Sequence, residues 1–119
     1  MTEITEHRGN LLNNAIEIHA EDAGPGGAPS VYRIYVEESD GPASLTLRFQ
    51  QGDPADDING ITNEVLLAVL QHRLTGFQNG KFPSRENALA LENVSSALAL
   101  LKQRSVSRTE RGVEGRQIA

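Results

Sequence analysis

The spacing of the apolar residues changes once along this sequence, and that change restricts the possible folds more than any other feature. Before the polar connector QQGDPADDING, residues 50–60, apolar and β-branched residues come in short runs that partly alternate with polar ones. After it, apolar residues recur at the three- and four-residue spacing of an α-helix. The sequence therefore predicts an α+β chain with an N-terminal β-sheet and a C-terminal helical part.

Three short runs in the first half of the chain predict strands. They are AIEIHA at residues 15–20, VYRIYV at 31–36 and SLTLRF at 44–49. β-branched and aromatic residues are typical of strands, and SLTLRF places Leu45, Leu47 and Phe49 on one face. Between the last two runs, the DGP of residues 40–42 is a turn signal that favours a hairpin. We expect a small antiparallel sheet within residues 1–58.

Two helices are predicted within residues 59–115, each beginning after a capping residue. Thr62 precedes the first helix and Ser84 the second, and a side-chain hydroxyl at such a position accepts a backbone hydrogen bond. The linking segment QNGKFPS is short, which favours an antiparallel hairpin that packs on the sheet. We expect residues 1–119 to form a single domain. The predicted apolar stripes are Leu66, Leu70, Leu74 and Phe77 on the first helix, and Leu91, Val94, Leu98 and Leu101 on the second.

The core of this domain is expected to be thin. The 119 residues are 38% hydrophobic and 4% aromatic, with no tryptophan and a mean hydropathy of −0.39. A chain with so few large side chains buries little apolar area by itself, which favours a homo-oligomer. No run approaches the roughly 18 apolar residues of a membrane span, and the start lacks a signal-peptide pattern, so we expect no membrane partner. The absence of cysteine excludes disulfides and thiolate chemistry.

Positive charge is concentrated at the C-terminal end of an otherwise acidic chain. The net charge is −5, yet residues 81–119 carry seven Lys or Arg against four Glu. Phosphate neutralisation supplies most of the affinity for nucleic acids, so an acidic chain favours a small anionic ligand over a polymer. On a continuous helix, Arg104 and Arg108 lie one turn apart, with Arg111 close to the same line. This row of arginines fits either a solvated helix face or a pyrophosphate clamp. The clamp is possible because one guanidinium group can form two parallel hydrogen bonds to phosphate oxygens.

A second set of candidate ligand residues flanks the link between the helices. Arg73 and Phe77 are neighbours at a four-residue spacing, and Asn87 lies in the first turn of the second helix. Phe77 fits either the core or a position where a nucleobase stacks. Asn87 fits either local capping or recognition of a purine edge. Together with the arginines, these residues would suffice for a nucleotide pocket.

Catalytic and metal-binding patterns are weak. His7, His19 and His72 are scattered without the spacing of metal ligands. The three aspartates of DPADD fit a solvated turn better than a calcium loop. The loop AEDAGPGGAPS lacks the lysine and Ser or Thr of a phosphate-binding loop and fits a connector. We therefore expect no catalytic residue, no metal and no cofactor.

Residues 59–115 contain a recognisable set of short motifs, namely NGITNEVLL, HRL, FQNGKF, ENALAL and RGVEG. In these motifs, the chain resembles the first-described family of Thoeris anti-defence proteins. Residues 59–115 make up about half of the chain, and the N-terminal half matches only in its predicted short strands. The C-terminal GRQIA departs from the family pattern.

The resemblance implies a phage protein that acts in the cytoplasm of an infected bacterium as a sponge for signalling nucleotides. Its ligands would be cyclic ADP-ribose isomers made by TIR-domain enzymes, held without hydrolysis so that the signal does not reach the Thoeris effector. In that family, residues matching Phe77 and Asn87 contact the base, and arginines matching Arg104 and Arg108 hold the phosphates.

The resemblance also implies an assembly and a second class of ligand. Family members form dimers that can assemble into hexamers, and some hexameric members also capture cyclic trinucleotides of CBASS defence at separate sites. Lys81 and Arg85 add positive charge to the link between the helices and are the candidates for such a second site.

Two other functions stay open from the sequence. A nucleotide hydrolase acting on the same signal would need a metal or a general base, for which DPADD and the dispersed histidines are the candidates. A phage nucleic-acid accessory protein would use the row of arginines on a phosphate backbone, which the acidic remainder of the chain opposes.

Overall fold

The chain is organised as a β-rich unit followed by a helical unit, described here from a computed structural model for residues 1–110 and 112. The two compact units are Met1–Gly60 and Ile61–Ala119, divided at the end of the predicted connector. The elements in chain order are β1 (Thr2–Ile4), α1 (Leu11–Asn14), β2 (Ile16–Ala20), β3 (Val31–Glu38), β4 (Gly41–Arg48), α2 (Asn63–Gln78) and α3 (Arg85–Glu110). The predicted α+β fold is confirmed. Arg111 and the C-terminal GRQIA lie outside the described residues.

The first unit is a four-stranded antiparallel sheet in the order β1-β2-β3-β4. All three predicted strands are present, and the DGP signal lies at the tight turn between β3 and β4, where Glu38 pairs with Gly41. Gly41 has a φ of +119°, a conformation that favours glycine. Pro42 is the second residue of the outer strand β4, and a proline without an N–H group is tolerated on an edge strand. β1 was not predicted, because its three residues carry too little periodicity.

The alternation of side chains gives this sheet one apolar and one polar face. Cross-strand pairing aligns Ile4 with Ile18, Ile18 with Ile34, and Ile34 with Leu45 on the first face. On the opposite face, pairing aligns Glu3 with His19 and His19 with Arg33. The sheet register therefore brings together charged residues that are far apart in the sequence.

The second unit is the predicted antiparallel helical hairpin. Both predicted caps form: the Thr62 hydroxyl accepts from the Val65 amide at 3.2 Å, and the Ser84 hydroxyl accepts from the Asn87 amide at 3.0 Å. Hydrogen bonds between described residues join the two helices. Gln71 Nε2 donates to Ser95 Oγ at 3.1 Å, and Ser105 Oγ donates to Glu64 Oε2 at 2.9 Å. Glu64, near the start of α2, bonds to Ser105, near the end of α3, so the two helices are antiparallel.

The apolar stripe predicted for α2 is partly wrong. Leu66 and Leu74 are half-buried, but Leu70 and Phe77 are exposed. The half-buried row of α2 is instead Leu67, Gln71, Leu74 and Gln78. Two glutamines take inward positions because their amides form hydrogen bonds to α3 and to the link between the helices. The stripe predicted for α3 is confirmed, since all four of its residues are half-buried.

The core is as thin as the composition predicts. Among the described residues, Ala20, at 3% exposure, is the one fully buried apolar residue. The helices leave large apolar side chains exposed, namely Val65, Val69, Leu70, Phe77, Leu89, Leu100 and Val106. Homo-oligomerisation remains a prediction, which this exposed apolar surface supports. In the described part of the chain, no helix has the length and apolar character needed to cross a membrane.

Gly60 is a position where any side chain is expected to destabilise the first unit. A Cβ added there would lie 2.6 Å from the Gln50 nitrogen and 2.7 Å from the Arg48 oxygen, both in backbone that cannot rotate away. We expect Gly60→Ala to lower the free energy of unfolding by about 1–3 kcal/mol, the usual cost of overpacking. Gly26→Ala is the matched control, because its Cβ would have no neighbour within 4 Å. Urea unfolding followed by circular dichroism measures both variants, and equal stability of the two would contradict the expectation.

Candidate functional site

An exposed aromatic ring beside an arginine lies at the C-terminal end of α2. Arg73 and Phe77 are one turn apart, and the guanidinium carbon of Arg73 lies 5.5 Å from the centroid of the Phe77 ring. This distance is typical of a cation–π contact. Phe77 is 51% exposed, so one part of its ring is available to a planar partner. Phe77 is therefore not a core residue, and its stacking role remains a prediction.

The link between the helices is closed by a pair of hydrogen bonds. Gln78 Nε2 donates to the Ser84 carbonyl, and the Ser84 amide donates to Gln78 Oε1, each at 3.0 Å. This clamp holds the start of α3 against the end of α2, so it brings Asn87 to the same end of the hairpin as Phe77. The cap at Ser84 uses the backbone amide of Asn87 and does not consume its carboxamide. Asn87 is half-buried.

The arginines lie at the opposite end of the hairpin. Arg104 is exposed, whereas Arg108 is only 6% exposed although it carries a charge. The hydrogen bond from Ser105 to Glu64 places this segment of α3 beside the first turn of α2. Arg111, the third predicted arginine, lies outside the described residues.

The predicted base-binding and phosphate-binding residues are therefore separated within one chain. Asn87 and Arg104 lie on the same continuous helix, seventeen residues apart. At 1.5 Å per residue, this spacing is about 26 Å, much longer than one nucleotide. The structure brings together Arg73, Phe77 and Asn87 at one end and Arg104 and Arg108 at the other. The unbroken length of α3 was the sequence signal that could have shown this separation.

The tip of the hairpin carries the candidates for a second site. Lys81 and Arg85 are exposed on either side of Phe82, which is itself 85% exposed. Two cations and a free ring are suited to an anionic ligand with a planar base.

Two of the candidate aspartates and one of the histidines have local structural roles. Asp53 Oδ1 accepts a hydrogen bond from the Ala55 amide at 2.9 Å, and Asp57 Oδ2 accepts one from Asn59 Nδ2 at 3.2 Å. These contacts are typical of side chains that shape a turn. His7 Nε2 donates to the Ile16 carbonyl at 2.7 Å, and His72 is exposed on α2.

The Gly-rich loop lines a cavity that is unsuited to phosphate. The cavity has a volume of about 360 Å³ and is lined by Glu21, Asp22, Gly24, Ser30, Val31 and Gln51. Two carboxylates at this cavity repel an anion. The loop also makes its own backbone turn, because the Gly27 amide donates to the Gly24 carbonyl. These contacts agree with the connector interpretation.

One cluster on the sheet could not be found from spacing along the chain. Glu3, Glu17 and His19 have ligand-type atoms that all lie within 4.8 Å of one another. Glu3 is on β1 and the other two are on β2, so the strand register creates the cluster.

The helical hairpin matches a known family. The model described as Acb2/Tad1, hairpin domain, matches residues 42–104, which is slightly more than half of the chain. The chain belongs to the Acb2/Tad1 hairpin family. The resemblance to Thoeris anti-defence proteins stated from the sequence is thereby confirmed. The part of the Acb2/Tad1 hairpin matched here contains Phe77, Asn87 and Arg104, and it ends before Arg108.

A curated relative of this Acb2/Tad1 hairpin protein comes from a phage. The chain is 44% identical over 71 residues to the protein named Thoeris anti-defense 1 of Bacillus phage SBSphiJ7. The aligned part covers 59% of this chain and 50% of the relative, so the chain matches about half the length of that protein.

Proposed function

We propose that this protein is a phage anti-defence sponge that binds cyclic ADP-ribose isomers made by bacterial TIR-domain enzymes. By holding the signal intact in the cytoplasm of the infected cell, it would keep the signal from the Thoeris effector. The observation that carries the proposal is the family match over residues 42–104, which includes an exposed Phe77 beside Arg73. The name of the phage relative supports the same role.

Recognition of the base is assigned to the link end of the hairpin. Phe77 offers a ring face, and a base stacked on an aromatic side chain contributes about 1–3 kcal/mol. Asn87 can donate and accept hydrogen bonds at a purine edge at the same time. Arg73 lies against Phe77, so it supports that ring and adds positive charge near the ligand.

Recognition of the phosphates is assigned to Arg104 and Arg108. Guanidinium groups one helical turn apart can each form paired hydrogen bonds with phosphate oxygens. Arg111 extends the same line in the sequence.

The distance between these two groups leads to a site built from two chains. With about 26 Å between Asn87 and Arg104, a single nucleotide contacts both groups only if the arginines come from a second copy. The exposed apolar residues of α2 and α3 give such a copy a surface to cover. Homo-oligomerisation thus completes the ligand site and also covers apolar side chains that the single chain leaves exposed.

Sequestration needs tight binding without turnover. A sponge that competes with an effector is useful at about nanomolar affinity, which corresponds to about 12 kcal/mol. Stacking, paired arginine contacts and burial between chains can supply this after the entropic cost of ordering is subtracted. The hydrolase alternative has less support, because Asp53 and Asp57 of its candidate acidic cluster accept hydrogen bonds within their own turn.

The proposal extends to cyclic trinucleotides of CBASS defence at the hairpin tip. Lys81 and Arg85 supply positive charge there, and the highly exposed Phe82 supplies a ring for stacking. This second ligand class would not compete with the first.

Calorimetric titration with cyclic ADP-ribose isomers, followed by heat denaturation and chromatography of the released ligand, tests the proposed function. We expect saturable binding, with at most one ligand per chain, and recovery of the unchanged isomer. Recovery of a cleaved product, together with loss of cleavage when EDTA is added, would instead indicate a metal-dependent hydrolase. Absence of heat with every isomer would overturn the sponge.

A further inference from the structure

The polar face of the sheet carries a group of side chains that the proposed function does not use. Glu3 lies directly opposite His19 on the neighbouring strand, and Glu17 precedes His19 by two residues on the same face. One ligand atom from each residue lies within 4.8 Å of the others. We propose that Glu3, Glu17 and His19 bind one divalent transition-metal ion of the zinc class.

The backbone arrangement is suited to chelation. Directly opposed residues in an antiparallel pair have Cβ atoms about 4.5–5.5 Å apart, so the Glu3 carboxylate and the His19 imidazole extend side by side. An ion bound at about 2.0–2.2 Å holds its ligand atoms within about 4 Å of one another. Small rotations of the two glutamate side chains are sufficient to reach that spacing from the observed one.

The chemistry of the donors selects the class of ion. One imidazole nitrogen and two carboxylates form a mixed nitrogen and oxygen set, which suits Zn²⁺, Co²⁺ or Ni²⁺. Calcium and magnesium prefer sites made of oxygen alone. Three protein ligands leave further coordination positions for water, because Glu3 and Glu17 are exposed.

The side chains around His19 and Glu3 affect how such an ion would bind. The His19 ring meets the Tyr35 ring edge-on, at 5.7 Å between centroids, which restricts the rotation of the imidazole. Glu3 accepts a hydrogen bond from Arg8 Nη2 at 3.0 Å. Arg8 compensates the charge of one glutamate when no ion is bound, and it is expected to compete with the metal for that carboxylate.

Metal binding would also strengthen the outer strand of the sheet. β1 has three residues and pairs only with β2, so an ion held by Glu3 and by the β2 residues would cross-link the two strands. A ligand that binds only the folded state raises its apparent stability. This inference does not depend on nucleotide binding, which is assigned to the other unit of the chain.

A competition titration of the full-length, tag-free chain with Zn²⁺ and a chromogenic zinc indicator tests the site. We expect one equivalent of zinc to bind, together with a rise in melting temperature that EDTA reverses. Replacing a residue that hydrogen-bonds to a metal ligand typically costs about 10–100-fold in metal affinity. His19 and Glu17 are proposed as ligands themselves, so His19→Gln and Glu17→Gln should each weaken zinc binding at least about tenfold. Binding of Co²⁺ should give visible absorption bands that are lost in His19→Gln.

Two controls separate a built site from general surface charge. His72→Gln removes an exposed histidine of α2 and should leave zinc affinity unchanged. Arg8→Gln should tighten zinc binding in the wild-type chain but not in a Glu3→Gln background, because it acts by releasing Glu3. Undiminished affinity in a folded His19→Gln variant, or no saturable binding by the wild-type chain, would overturn the site.

Discussion

Replacement of Arg108 by alanine is expected to lower the affinity for a bound cyclic ADP-ribose isomer by about 10- to 150-fold. A hydrogen bond between charged groups contributes about 1.5–3 kcal/mol, which corresponds to that range of affinity. Arg108 is 6% exposed, so its contacts are shielded from water and from salt. Calorimetry with the isomer that binds wild-type protein most tightly gives the measurement.

Matched variants on the same helix separate the loss of a phosphate contact from a general loss of charge. Lys102→Ala removes an exposed cation two residues from Arg104 and should leave affinity within about twofold, because exposed charges contribute little. Arg104→Ala should weaken binding without loss of stability, since Arg104 is exposed. Melting temperatures of all three variants identify any unfolding. Wild-type affinity in a folded Arg108→Ala protein would remove this arginine from the ligand site.

Mixed oligomers of two inactive variants are expected to regain nucleotide binding. A chain carrying Phe77→Ala and a chain carrying Arg108→Ala, each with a different affinity tag, would be co-expressed and purified through both tags. If each site takes its ring from one chain and its arginines from the other, one of the two sites between unlike chains contains only native residues. We expect one ligand per unlike pair at wild-type affinity, although neither variant alone binds at the same concentration.

The reciprocal mixture supplies the control for this experiment. A chain carrying both substitutions, paired with a wild-type chain, should have no intact site if sites are shared between chains. It should retain one site if each chain binds alone. Binding by this second mixture together with no binding by the first would contradict a two-chain site, even if the protein is a sponge.

The local features of the fold could be predicted from the sequence because they depend on neighbouring residues. Thr62 and Ser84 were identified as caps from a hydroxyl ahead of an apolar run, and both hydrogen bonds form within three residues. The turn at Gly41 followed from a glycine that tolerates positive φ. In each case the partner atoms are close in the chain, so no knowledge of packing was needed.

Features that depend on packing were harder to predict. The stripe predicted for α2 includes Leu70 and Phe77, which are exposed, whereas the half-buried row contains Gln71 and Gln78 at the next positions. Their amides are satisfied by Ser95 and by the Ser84 backbone, and only the hairpin brings these partners within reach. A polar side chain turns inward when it finds such a partner, and a hydrophobicity pattern does not contain that information.

The candidate site was predicted residue by residue but not as an arrangement. Phe77, Asn87 and Arg104 were selected for the chemistry of a ring, an amide and a guanidinium, and the family match covers all three. Their distribution between two ends of the hairpin follows from the continuous helix Arg85–Glu110. A helix cannot fold back on itself, so residues that would serve one ligand stay about 26 Å apart in a single chain.

The sequence by itself determined the two kinds of secondary structure, the helix caps, the family and the chemical types of the candidate ligand residues. These depend on periodicity, local hydrogen bonding and side-chain chemistry, which act over a few residues. Only the tertiary structure decided which side chains meet. Pairing of β1 with β2 brings Glu3 to His19, and the antiparallel hairpin brings Ser105 to Glu64. Contacts between residues far apart in the chain depend on how whole strands and helices pair with one another, and the few residues around each position do not decide this.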